Sequence, residues 1–423
     1  MILRLAVFAL FASYASCKKV EQVHLSLSGK ADEMVVTWVT MDPLPNVTPY
    51  VAFGLTKNAL SLTAKGVTTS WADQGKKKVM RYTHRATMTS MVPGQLYYYQ
   101  VGSSQAMSDV FHFRQPDQSQ PLRAAIFGDL SIAVGQQSID QLIAARKDNQ
   151  FDLIIHIGDL AYDLHDNNGD NGDDYMNAIE PFAAYVPYMV SVRRKSRSRF
   201  WLQPHRQQIH NAQKRSLQQQ PLLEFRLRIR SLHRSERKLS YSEYYAEEMA
   251  GETQLQYKWL EQDLADNKAK WTIVMFHRPW YCSSKKKKGC HDDQDILSRD
   301  GLKDVFPGME ELLNKYKVDL ILYGHKHTYE RMWPIFNAQP FKSVDSRHIK
   351  NAPAPVYILT GGAGCHSHED PSDHIMQDFS IKALGEYGYT FLTVYNSTHL
   401  STDFVDTSET TGKFLDPFML EKD

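Results

Sequence analysis

Four short motifs carry most of the chemistry in this 423-residue chain: Gly128-Asp129-Leu130, Gly158-Asp159-Leu160-Ala161-Tyr162, Val274-Met275-Phe276-His277 and Gly324-His325-Lys326-His327. Carboxylate and phenolate oxygens with imidazole nitrogens are a donor set for metal ions. A glycine ahead of each aspartate removes side-chain bulk, so the carboxylate can approach an ion closely. A phenolate such as that of Tyr162 is a strong ligand for ferric iron and a poorer one for most divalent ions. His325 and His327, one residue apart after a glycine, can serve two adjacent metals from one loop. Asp129, Asp159, Tyr162, His277, His325 and His327 are thus six candidate metal ligands, most of a two-metal hydrolase site.

Each motif follows a predicted strand. Leu122 to Phe127 and Phe151 to Ile157 are continuous apolar strands, with helical spacing around Ile139 to Arg146. Thr272 to Phe276, Val318 to Tyr323 and Val356 to Thr360 repeat the pattern, with helices predicted over Tyr257 to Leu264 and Met309 to Tyr316. Apolar strands alternating with helices predict a sheet covered on both faces, with ligands at the strand ends. Before this region, from about Val20 to Phe113, short alternating runs such as Met34 to Thr40 and Gln95 to Val101 predict a small β-sandwich. No cluster of metal-type ligands occurs there, so a structural or positioning role is expected of it.

The 49 basic and 48 acidic residues nearly cancel, which gives no sign of a nucleic-acid or membrane-surface protein. Ile2 to Ala12 is a short apolar run behind Arg4, and small residues follow up to Cys17, so residues 1–17 read as a cleaved secretory signal. No other stretch is apolar for long enough to span a bilayer. Asn46-Val47-Thr48 and Asn396-Ser397-Thr398 are glycosylation sequons that agree with export. Spacing suggests a disulfide between Cys282 and Cys290, with Cys365 outside that pair. Lys285 to Lys288 lies between the paired cysteines, where it could rim an anion site. His291, His366 and His368 are candidates for substrate contact or proton donation, and Glu330 and Arg331 for support of the loop after His327.

The motif series resembles the metallophosphoesterases, and Tyr162 together with the tail Gly324-His325-Lys326-His327-Thr328-Tyr329-Glu330-Arg331 resembles the purple acid phosphatases of animals. Gly361-Gly362-Ala363-Gly364 and Glu386-Tyr387-Gly388-Tyr389 extend the likeness to the C-terminal region. The resemblance implies a fibronectin III-like β-sandwich over 18–115 and a metallophosphoesterase domain over 121–423, four-layer α/β/β/α, with 353–415 as its C-terminal part. It implies ferric iron on Asp129, Tyr162 and His327, and a divalent ion (iron, zinc or manganese) on His277 and His325, with Asp159 bridging. It also implies an acid phosphatase, secreted or lysosomal, that hydrolyses small phosphate monoesters by a metal-activated hydroxide.

One interval departs from the family pattern. An asparagine ligand and a nearby histidine in Gly-Asn-His-Glu are implied after Pro187-Tyr188-Met189-Val190, yet Ser191-Val192-Arg193-Arg194-Lys195-Ser196-Arg197 stands there. Residues 192–239 hold 14 Lys and Arg, two acids and no glycine, leaving 35 basic and 46 acidic residues elsewhere. A basic surface insertion for acidic partners, a true divergence and a shifted reading frame over about 192–240 all remain open. The third has a specific argument. Arg193 to Arg197 can be encoded by CGG CGG AAA TCA CGA, and dropping one base gives Gly-Gly-Asn-His followed by Asp or Glu. A chain that truly lacks the asparagine would be a catalytically impaired or non-catalytic metal-binding homologue. Whether His205, His210 or Asn211 replaces the missing ligand is left open by the sequence.

Overall fold

The computed structural model describes residues 19–73, 75–117, 119–162, 164–191, 254, 256–283, 298–302, 306–365, 376–408 and 412–423, and of 225–229, 302 and 306 the backbone alone. Within Glu21 to Arg114 all strand pairings are antiparallel. The long strand Leu62–Ala72 closes the sandwich by changing partners midway. Leu62 to Lys65 pairs with Tyr50–Gly54, and Gly66 to Ala72 pairs with Met80–Met88. Alternate residues of the two halves, among them Val23, Leu25, Val36, Trp38, Val51, Tyr99 and Phe113, meet in one core.

The second region holds two mixed sheets. The first runs Tyr188–Val190, Leu153–His156, Leu122–Phe127, Gly388–Val394, His399–Asp406, Phe418–Glu421, His348–Lys350. The second runs Phe225–Ile229, Trp271–Met275, Leu320–Tyr323, Val356–Thr360, Tyr329–Phe336, Gln339–Pro340. Alternation within the apolar strands explains the layering. Ala124, Ile126, Ile155, Ile273, Met275, Leu322 and Ile358 share a core between the sheets. Ala125, Phe127 and Ile154 face outward against the helices Gln136–Lys147 and Asp170–Ala183. Val274, Ile321 and Tyr357 pack on the opposite side with residues 256–265 and Met309–Lys315. Leu153–His156, Trp271–Met275, Leu320–Tyr323 and Val356–Thr360 are buried on both faces, the condition that calls for continuous apolar runs. The result is the expected β-sandwich followed by α/β/β/α layers.

Four elements escape the sequence pattern. Asp170–Ala183 is a helix although it opens Asp-Asn-Gly-Asp-Asp and contains Pro181. Acidic side chains in its first turn suit the positive end of the helix dipole, and Tyr175, Met176, Ile179 and Phe182 are buried. Tyr329–Phe336 and Ser380–Leu384 pair antiparallel at the side of the second sheet, their polar residues masking the strand signal. Inside the basic block, the backbone of Phe225–Ile229 runs parallel to Trp271–Met275. No helix among the described residues is long and apolar enough to cross a membrane.

Candidate metal centre

The four motifs meet where the strands end. Leu122–Phe127 and Leu153–His156 are parallel neighbours in one sheet, and Trp271–Met275, Leu320–Tyr323 and Val356–Thr360 in the other. The loops are cross-braced through their backbones: Gly128 N donates to Thr360 O at 2.8 Å, Asp129 N to Gly158 O at 3.2 Å, Ala161 N to Leu130 O at 2.9 Å and Gly324 N to His277 O at 3.0 Å. Asp129, Asp159, Tyr162 and His325 all have left-handed backbones, with φ of 63, 46, 46 and 75°. For residues other than glycine this costs about 1 kcal/mol or more each, and it persists only where the surroundings fix it. The glycines serve close approach. A Cβ on Gly158 would stand 2.7 Å from Nδ1 of His277, and one on Gly324 would stand 2.6 Å from Oδ2 of Asp129.

Two sets of donors converge. In one, the Tyr162 hydroxyl donates to Oδ1 of Asp129 at 2.9 Å and lies 2.8 Å from Nε2 of His327, which is 3.4 Å from the same Oδ1. In the other, ligand atoms of Asp159, His277 and His325 all lie within 4.8 Å of one another, and His277 Nε2 is 3.4 Å from Oδ2 of Asp159. The sets are joined through Asp129, whose Oδ2 accepts the backbone N–H of His325 at 2.6 Å. His277 turns its Nδ1 to the Ile157 carbonyl at 2.9 Å, which leaves Nε2 as the donor on the Asp159 side. Asp129 is fully buried, and burial followed by the Asp129 charge pushes the Tyr162 phenol well above its ordinary pKa. Each set offers oxygen and imidazole donors within the span of one ion, so the residues present fit a pair of metals.

Other predicted residues are placed as follows. Glu330 and Arg331 diverge, since neighbours on a strand face opposite sides. Buried Glu330 accepts from Ser283 N at 2.9 Å, Ser283 Oγ at 2.6 Å and Ser380 Oγ at 2.7 Å, so it braces the segment after His277 and not the one after His327. Arg331 reaches Asp416 instead. Asn46 and Asn396 are exposed. Cys282 is disulfide-bonded, and Cys365 is buried as a thiol. Cys290, Lys285 to Lys288, His291, His366, His368, His205, His210 and Asn211 lie outside the described residues, as does the stretch from Val192 where the asparagine is wanting.

Two neighbours of the site carried no expectation. The Cys365 thiol is a hydrogen-bonding neighbour of the Tyr162 phenol. His156 ends its strand in a fully buried cluster, with Nδ1 2.6 Å from Tyr188 Oη and 3.1 Å from Tyr175 Oη, and burial lowers its pKa to about 3. A histidine closing an apolar strand ahead of Gly158-Asp159 was the available signal.

Paired sheets with acidic and histidine donors at their strand ends define a calcineurin-like phosphoesterase, and the model of that name matches residues 222–329. Residues 20–115 match the purple acid phosphatase N-terminal domain, and 354–417 the iron/zinc purple acid phosphatase-like C-terminal domain. Acid phosphatase type 7 of Danio rerio is 33% identical over 435 residues, covering 99% of this chain and 94% of that protein. Its Homo sapiens counterpart is also 33% identical, over 94% and 89%. The chain belongs to the purple acid phosphatase family of metal-dependent phosphatases. A purple acid phosphatase from yellow lupin seeds shares the fold, with a TM-score of 0.75 at 22% identity over 96% of this chain and 75% of that one.

Proposed function

We propose that the protein hydrolyses small phosphate monoesters at a dinuclear centre, with ferric iron on Asp129, Tyr162 and His327 and a divalent iron, zinc or manganese on His277 and His325, Asp159 lying between. The carrying observation is the convergence of two donor sets at one group of strand ends, linked by the Asp129 to His325 hydrogen bond. When bound, such a pair supplies Lewis acidity toward a phosphoester and activates water for in-line attack. The chain's own part is positioning. Asp129 is held by His325 N, His277 by the Ile157 carbonyl, and Tyr162 by Asp129 and His327, so the donors are arrayed before any ion arrives. His291, His366 and His368 are the candidates for substrate contact or proton donation, and no catalytic residue beyond the metal ligands is assigned. The leader at 1–17 and the exposed Asn46 and Asn396 support a secreted or lysosomal glycoprotein. We also take 18–115 and 121–423 as the domain bounds.

A second reading is favoured by one observation, the Ser191-Val192-Arg193 sequence where the asparagine is implied. It makes the literal chain an impaired or non-catalytic metal-binding homologue. Reading the transcript between the codons for Val190 and Ser242 comes first, since an unbroken frame in genomic and cDNA reads removes the frameshift explanation. Turnover of p-nitrophenyl phosphate by the metal-loaded chain, abolished by Asp159→Ala, would reject the non-catalytic reading. A frame-corrected protein that holds two metals yet cleaves only diesters would reject the monoester assignment.

A further inference from the structure

Arg81 is a buried cation of the sandwich strand Met80–Met88, fully removed from solvent. A charge in that position is tolerated only when paired and hydrogen-bonded. Within the sandwich its Nη1 lies 3.6 Å from Oδ2 of Asp73 and donates to the Val79 carbonyl at 3.4 Å, and its closer partners lie across the boundary between the two regions. Nε is 3.0 and 2.9 Å from the two carboxylate oxygens of Asp173, Nη2 donates to Asp173 Oδ2 at 2.6 Å, and Nη2 also donates to the carbonyl of Asn168 at 3.0 Å. A second sandwich residue joins it. Gln22, at a register shift of the first strand and with φ of 61°, donates Nε2 to Asp173 Oδ1 at 2.8 Å, the kind of re-aimed side chain that a bulge produces.

What Arg81 grips is the chain leading away from Tyr162. Asn167, Asn168 and Gly169 have consecutive left-handed φ values of 54, 61 and 88°, directly before the helix Asp170–Ala183. Such a run is unfavourable unless its surroundings impose it. Arg81 is that constraint: a Cβ on Gly169 would stand 2.7 Å from its Nη2. Tyr162 and Ala161 are left-handed as well, with φ of 46 and 59°. The strained stretch is therefore pinned by Asp129 and His327 at the phenol, and by Arg81 where it enters the helix. The far end of that helix has its own fastenings to the sandwich, Glu180 Oε2 accepting Val23 N at 2.8 Å and the Ala184 carbonyl accepting the Tyr99 hydroxyl at 2.6 Å.

We propose that Arg81 is a positioning residue for Tyr162, so that the N-terminal sandwich takes part in setting the geometry of the metal site. Its meaning for catalysis rests on the reading of Tyr162 as a ligand; the positioning itself does not. The test is hydrogen exchange on the metal-free full-length chain, comparing Arg81→Lys, which keeps the charge but loses the two-pronged grip, and Asp173→Asn with Glu180→Gln as a control at the far end of the helix. In both test variants, amides of residues 160–172 should exchange faster by roughly tenfold or more, through local opening. Those of Leu122 to Phe127 should hold their parent rates, and Glu180→Gln should leave 160–169 unchanged. Parent rates in 160–172 in both test variants, or an equal rise across the whole chain, would overturn the proposal. Titration with ferric iron alone then separates the two ideas. A visible tyrosinate band in the parent that weakens in Arg81→Lys carries the positioning through to the metal, and an unchanged band limits Arg81 to the fold and overturns its role at the site. A parent without any band counts against Tyr162 as a ligand, while the exchange rates still decide the positioning.

Discussion

The phenol of Tyr162 stands 2.8 Å from Nε2 of His327, 165 positions along the chain, and donates its proton to Asp129. Because burial and the adjacent carboxylate raise its pKa, the phenol is protonated in the metal-free protein at neutral pH. Ferric iron bound through the phenolate must displace that proton, so affinity for the ion should strengthen as pH rises across the range where iron stays soluble. A visible charge-transfer band should accompany binding and vanish in Tyr162→Phe. Spectrophotometric titration at several pH values measures both, and a Tyr162→Phe protein with undiminished colour would place the phenolate elsewhere.

Gly158→Ala should damage the divalent half of the site. The new methyl combines a left-handed backbone, φ 82°, with a position 2.7 Å from Nδ1 of His277. A loss of about 2 kcal/mol in urea unfolding is expected from strain of this kind. The displaced imidazole loses its hold on the Ile157 carbonyl, so affinity for zinc or manganese should fall further than stability does. Isothermal titration with zinc checks this, and wild-type affinity would show that His277 is not held by the glycine turn.

Arg331→Met should be the most destabilising of these changes. The guanidinium is buried, with Nε and Nη2 donating to Asp416 at 2.7 and 2.8 Å and Nη1 to the Ser346 carbonyl at 2.6 Å. Its removal takes the cation away from the buried Asp416 carboxylate, which keeps the Tyr329 hydroxyl as a donor, a loss worth about 3 to 5 kcal/mol. The urea midpoint should fall accordingly, and much less in Arg331→Met/Asp416→Leu. The guanidinium also lies 4.7 Å from the centre of the Phe418 ring, and equal losses in the two variants would mean that this packing, not the ion pair, is the source.

His84 predicts how the sandwich responds to acid. Burial lowers its pKa from 6.5 to about 4, and the neutral ring is held between Thr40 Oγ1 at Nε2 and Thr68 Oγ1 at Nδ1, both 2.9 Å away. The folded pKa lies below the unfolded one, so the unfolded chain takes up the proton first as pH falls. The stabilisation is therefore complete above about pH 6.5 and is lost progressively down to about pH 4, by about 3 kcal/mol. His84→Gln should flatten the stability curve over that window. Denaturant unfolding at pH 7, 5.5 and 4 measures it, and an unaltered slope would remove His84 as the cause.

The chemistry of the site was legible because it is local. A ligand type beside a glycine at the end of an apolar run can be read without knowing the fold, since strand periodicity places Asp129, Asp159, His277 and the His325 and His327 pair at the same kind of position. The apolar runs also announced the buried strands, because burial on two faces leaves no polar alternation, but they predicted one sheet, and the division into two was implied only by the family likeness. The helix Asp170–Ala183 was hidden for the opposite reason. Its opening residues have turn-like local preferences, and its stability comes from packing and from the sandwich, which no window of sequence contains.

By itself, then, the sequence determined which side chains could bind metal, the apolar strands that carry them and the family likeness. Tertiary structure alone decided how near Tyr162, Asp129 and His327 come to one another, the divergence of Glu330 from Arg331, and the grip of Arg81 on the chain beyond Tyr162. These relations join residues far apart in the chain through fixed distances and strained backbone. Such distances exist only after two sheets and a sandwich have packed, because composition and spacing specify the donors but not the directions in which folding aims them.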